Sequence, residues 1–73
     1  MSEIKMVPVK SSQIKAIGHD ASTKTLAIEF SSGGIYHYAD VPAEKYHALL
    51  QAESKGKHLH RHIKGAHAFT KIT

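Results

Sequence analysis

Cysteine and tryptophan are absent from these 73 residues, so neither a disulfide nor a thiolate metal site can staple the fold. Aromatic residues are few, three Tyr and two Phe. No apolar run approaches the roughly 20 residues that span a bilayer. The start, Met1-Ser2-Glu3-Ile4-Lys5, lacks the basic-then-apolar order of a secretory signal. These gaps exclude a membrane protein and a secreted disulfide knot, and make the cytoplasm the expected location. Length sets a further bound. A chain this short buries only about 60% of the surface its unfolded form exposes. That supports one sheet with a helix or two, and no deep cleft between lobes. The 41% hydrophobic content suits a modest globular core and argues against disorder.

Acid is missing from one end of the chain. Residues 1–53 hold five Lys and six acids, a net of −1, whereas residues 54–73 hold four Lys, one Arg and no acid, a net of +5, which together give the overall +4. Four of the seven His (His58, His60, His62 and His67) share that last segment. A basic block of this kind points to an anionic partner, and the alternative for the same residues is a solubilising surface. Protonating all seven His would raise the charge from +4 to +11. With ordinary imidazoles that rise falls between about pH 7.5 and 5.5, so anion binding should strengthen on mild acidification.

Residues 1–8, with Pro8 and no clear period, read as a flexible lead-in to a single domain over 9–73. Ser12 to Gly18 has extended character, with Ile14 and Ala16 on one face and Ile17 on the other. Leu26, Ile28 and Phe30 alternate through Thr25–Phe30, the clearest strand, and Ile35-Tyr36-His37-Tyr38 is a third. Between the last two, a type I turn at Ser31-Ser32 with Gly33 as a left-handed bulge would set Phe30 opposite Gly34, Ile28 opposite Tyr36 and Leu26 opposite Tyr38. A two-residue Ser32-Gly33 turn would shift this by one. The bulge is preferred because Gly33 suits a positive φ and His37 is a poor core residue. Pro42 and Glu44 suit a helix start, and Tyr46, Leu49 and Leu50 form its sheet-facing stripe. Ser54 can cap a second helix, from about Lys57 to Lys64, anchored by Leu59 and Ile63 and ended by Gly65. Phe69 and Ile72 are expected to pin the tail, in a short strand or an extended segment. The expected fold is therefore α+β: a three-stranded antiparallel meander followed by two short helices packed on one face.

Lys57, Arg61 and Lys64 stand at i, i+4 and i+7, one stripe along the second helix, with His60 at its edge and Lys55 just before it. Such an array suits successive phosphates of a nucleic-acid backbone, with steep salt dependence and little base reading. Its alternative is an ordinary solvated helix face. His58 and His62 are spaced to clamp a metal ion between two imidazoles, and His67 offers a third ligand. No Cys or nearby acid completes the set, and the neighbouring cations repel a dication, so no metal and no cofactor is expected. Tyr36 and Tyr38 are either a base-stacking platform or core residues under a helix; the register favours the core. On the opposite face, Ile35 and His37 with Ile17 and Ala27 could form a mildly apolar contact surface. Catalysis has little support. No serine lies in a nucleophile elbow, no phosphate loop is present, and the pairs His37–Asp40 and His19–Asp20 lack a third partner. The chain is expected not to be an enzyme.

Taken in order, several motifs resemble those of the KTSC domain, a short module seen at the C-terminus of some lysyl-tRNA synthetases and as stand-alone bacterial and phage proteins. They are Val9-x-Ser11-Ser12-x-Ile14, Ile17-Gly18-x-Asp20, Leu26-x-Ile28-x-Phe30, the central Tyr36-x-Tyr38, Val41-Pro42 with Tyr46 and Leu49-Leu50, Ala52-x-Ser54-x-Gly56, and Ile63-Lys64. The likeness covers about residues 9–72. It implies a link to tRNA synthetases and to RNA binding, and carries no catalytic residues. His19 stands where the family commonly has an aromatic, and His58-Leu59-His60 where it commonly has aromatics and an Asn. The resulting expectation is a non-enzymatic RNA-associated module gripping the backbone of a tRNA-like or single-stranded RNA through Lys55, Lys57, Arg61 and Lys64, with no membrane partner. The rival expectation is a protein–protein accessory module using the sheet face or edge.

Overall fold

The computed structural model describes residues 4–72. Its elements are β1 (Val7–Pro8), β2 (Ile14–Asp20), β3 (Thr25–Phe30), β4 (Ile35–Tyr38), α1 (Ala43–Gln51), α2 (Lys55–His62) and β5 (Phe69–Lys71). The strands form one antiparallel sheet in the order β1-β2-β3-β4-β5. The α+β class with two helices is as expected, but the sheet has five strands rather than three. The added strands sit at the edges, two and three residues long. Neither is long enough to show alternation, and of the two forms expected for the tail around Phe69 the structure has the short strand. Val7 and Pro8, assigned to the lead-in, pair with Ile17 and Ala16.

The β3–β4 hairpin has the bulged register. Leu26 faces Tyr38 and Ile28 faces Tyr36. The Gly33 amide donates to the Phe30 carbonyl (2.9 Å), the Phe30 amide donates to Gly34 (2.8 Å), and Gly33 sits at φ +107°. The Ser31 hydroxyl donates to the Ser12 carbonyl (3.0 Å), tying this turn to the segment that enters β2.

Strand β2 departs from simple alternation. Pairing advances two residues on β2, from Ile14 to Ala16, while β3 advances one, from Phe30 to Glu29. Lys15 is the extra residue, and this bulge changes the phase of the strand. Ile14 and Ile17 therefore share the inner face, contrary to the alternating assignment, and both are fully buried. They join Leu26, Ile28, Tyr38 and Val41 from the sheet side with Leu49, Leu59 and Ile63 from the helical segment. Both helices thus cover one face, as expected. At about 1.5–3 kcal/mol per large apolar side chain, this cluster is the main stabilising feature of the fold.

The outer face is less open than the sequence implied. Ala27 is fully buried, and Ile35 and His37 are half-buried. Over Gly18, the cross-strand partner of Ala27, residues 4–6 pass so closely that a Cβ there would lie 2.6 Å from Ile4 Cγ2 and 2.8 Å from the Lys5 carbonyl. Ile17 and Ala27 are therefore not part of an exposed apolar surface.

His19 joins the sheet to α1. Its Nε2–H donates to the Val41 carbonyl (2.6 Å), and its ring stacks on Tyr46 at 5.2 Å and 13°. The Val41 amide donates to the Lys24 carbonyl (2.8 Å). Pro42 takes the cap position rather than the first helical one. A further tie comes from His67, whose Nδ1–H donates to the Ala39 carbonyl (2.9 Å) and whose Nε2 accepts from Lys45 Nζ (2.8 Å).

Replacing Gly18 by Ala should cost about 1–3 kcal/mol, because a methyl group must displace backbone as well as side chain. Urea unfolding of the Gly18→Ala protein checks this; an unchanged midpoint would show that residues 4–6 do not lie on the sheet.

Candidate nucleic-acid interface

Helix α2 runs from Lys55 to His62, two residues earlier than its spacing suggested. Ser54 occupies the cap position, with its carbonyl accepting from the His58 amide (3.0 Å), but its hydroxyl makes no capping bond. Leu59 turns inward and is buried, while Lys57, His60, Arg61 and His62 are exposed. The helix stops at Ile63, and Gly65 at φ +85° carries the chain away.

That early stop divides the four cations. Lys57 and Arg61 line one recess of about 440 Å³ together with His58 and His62. Glu53, just before the helix, is the carboxylate on that lining. Lys55 is half-buried and donates through Nζ to the Ala52 carbonyl (3.2 Å), which satisfies the end of α1. Lys64 lies beyond the helix, with its Nζ 5.3 Å from the centre of the Phe30 ring, a cation–π distance. The stripe is thus a pair of cations in a recess, with one cation tied behind it and one turned toward the sheet.

The rings of His58 and His62 lie 4.4 Å apart along the recess. Partial burial holds the His58 imidazole below its ordinary pKa of 6.5, and the charge of His62 adds to this. His67 is engaged by Ala39 and Lys45, so it does not serve this pair as a third ligand. Among the described residues no three ligating side chains converge.

The helix-facing side of the sheet carries a separate hollow of about 200 Å³. Phe30, Tyr36 and Phe69 line it, with Lys64 and Ser32 at its rim. Phe30 meets Tyr36 edge-on at 5.4 Å and 86°, and Phe69 tilts against Tyr36 at 5.5 Å. The two tyrosines have separate roles. Tyr38 is 1% exposed, and burial, then the neighbouring Tyr36, raises its pKa above 10.0. Tyr36 remains half-buried in the hollow. Phe69 was expected to pin the tail but is 61% exposed. A lone aromatic in a segment too short to alternate was the only hint of its position.

The model of the KTSC domain matches residues 10–67. The chain belongs to the KTSC domain family. A crystal structure of a KTSC domain protein from Yersinia pestis superposes with a TM-score of 0.93 at 35% identity, covering 97% of this chain and 100% of that one. An uncharacterized protein of Stutzerimonas stutzeri is 41% identical over 64 residues, 88% of this chain and 90% of its own. A lysine–tRNA ligase of Nostoc punctiforme is 39% identical over 64 residues, 88% of this chain but only 11% of the ligase. The KTSC domain is thus a small module also present within a lysine–tRNA ligase. Within it, the central Tyr36-x-Tyr38 motif supplies one core residue and one lining residue. His19 keeps a flat ring against Tyr46 and adds a hydrogen bond to Val41.

The depressed His58 pKa means that protonation opposes folding. The corresponding stability is present above about pH 6.5 and is lost as pH falls through the lower folded value. Exchanging the partner, His62→Gln, should raise the His58 pKa and lessen the acid sensitivity. An NMR titration of the imidazole signals checks both; a His58 pKa at or above 6.5 in the unmodified protein would contradict the geometry.

Proposed function

We propose that this KTSC domain is a non-enzymatic RNA-binding module that holds the phosphate backbone on α2. Lys57 and Arg61 are the principal contacts, and Lys64 extends the contact toward the sheet. Lys55 serves at the other end only when it releases Ala52. The carrying observation is the recess itself: Lys57 and Arg61 share it with two imidazoles, on a segment with no acid after Glu53. An exposed Lys–Arg pair beside titratable rings suits a polyanion whose binding strengthens as the rings protonate. The presence of the module in lysine–tRNA ligases, proteins whose name specifies tRNA, supports RNA as the polyanion. Described helices include none long and apolar enough to cross a membrane.

A protein partner at the sheet edge is the second reading. It draws on Phe69 and Ile72, 61% and 48% exposed along β5. Salt separates the two readings, because apolar edge contacts release no counterions.

Binding of single-stranded RNA should weaken steeply between about 50 and 200 mM salt. The Lys57→Ala/Arg61→Ala double variant should lower the logarithmic salt slope by about 1 to 2, and Glu53→Gln should tighten binding. Fluorescence anisotropy across a salt series measures all three. An unchanged slope in the double variant removes α2 as the phosphate site.

A further inference from the structure

We propose that the aromatic hollow formed by β3, β4, β5 and the turn after α2 receives one unpaired nucleobase, stacked on Phe69 with Tyr36 bordering its edge. This deepens the phosphate-binding reading and rests on it. Phe69 is 61% exposed although it belongs to a paired strand. One side of its ring leans on Tyr36 and Tyr38, at 5.5 and 5.9 Å, leaving a large apolar surface uncovered. With Tyr36 and Phe30 it borders a space of about 200 Å³. That is smaller than the roughly 300–1,000 Å³ of pockets for drug-sized ligands, and suits a single planar ring system.

The charge at the rim indicates which planar ring would enter. No carboxylate lines the hollow, and Lys64 stands at its mouth over Phe30. A base on the aromatic side chains would bring its own phosphate to this ammonium group. Lys64 follows Arg61 by three residues, where the chain leaves α2. A strand held by Lys57 and Arg61 that also reaches Lys64 would place a base in the hollow. A base within a duplex is already stacked on both faces, so the ligand is single-stranded. Aromatic stacking accepts every base, so the site holds a nucleotide without reading sequence.

The test uses the full chain and two probes of equal length and charge, an eight-nucleotide oligoadenylate and its abasic counterpart. The base-bearing probe should bind about ten-fold more tightly. Phe69→Leu keeps apolar bulk but removes the ring. It should bring the two affinities together with no change in salt slope, and Phe69→Trp should preserve their ratio. The Lys57→Ala/Arg61→Ala variant should lower the slope and leave the ratio intact. Thermal melts verify that the Phe69 variants remain folded. Equal binding of both probes by the unmodified chain, or an unchanged ratio in Phe69→Leu, overturns the stacking inference while leaving the phosphate reading in place. If neither probe shows salt-dependent binding, the phosphate reading fails. Adenosine then decides the hollow alone: amide shifts confined to Tyr36, Gly65 and Phe69 uphold it, and their absence overturns it.

Discussion

Between Ile14 and Ile17 the second strand carries one residue more than the strand beside it, and the inside of the molecule depends on that addition. Under strict alternation Ile14 and Ile17 would fall on opposite faces. One of them would then leave the cluster beneath the helices. The extra residue, Lys15, is exposed, and the strand resumes with Ile17 opposite Ile28. Both isoleucines then meet Leu49, Leu59 and Ile63. Gly18 falls on the other face in consequence, where its lack of a side chain lets residues 4–6 approach.

The same core positions the candidate site. Leu59 and Ile63 draw one side of α2 against the sheet, which leaves Lys57 and Arg61 facing outward. After Ile63 the left-handed Gly65 turns the chain, and Phe69 pairs beside Tyr38. Lys64 is thereby brought from the helical stripe to the aromatic hollow. The residues of the recess end at His62 and those of the hollow resume at Lys64, so the two follow each other along the chain. His67 braces this corner, with Nδ1 donating to Ala39 while Nε2 accepts from Lys45.

Much of this was legible where chemistry is local. The Leu26, Ile28, Phe30 alternation and the single conformational demand on Gly33 specified a strand, a turn and a register together. Leu59 and Ile63 likewise showed which side of α2 is buried. Non-local features were hidden. The β2 bulge leaves no mark in Ser12–Gly18, because Ile14, Ala16 and Ile17 are all apolar and either phase reads acceptably. The edge strands have too few residues for a period. The course of Lys64 follows from where α2 ends, and helix ends read from spacing shift by a residue or two. Phe69 looked like an anchor because it is aromatic; only its pairing beside Tyr38 shows that its outer surface has nothing over it.

The short rims also govern how the molecule behaves in a crowd of its own copies. At one rim Pro8 lacks an amide donor, and at the other the strand is Phe69–Lys71, flanked by bonds from the Ala39 amide to the Ala68 carbonyl and from the Ile72 amide to the Ile35 carbonyl. Extended templates of free donors and acceptors are what allow sheets to recruit one another into fibrils. Among the described residues each edge strand is short, so a neighbouring copy gains few hydrogen bonds by aligning with it. A basic, aromatic-bearing surface can therefore stay open to ligands without making the sheet a nucleus for aggregation.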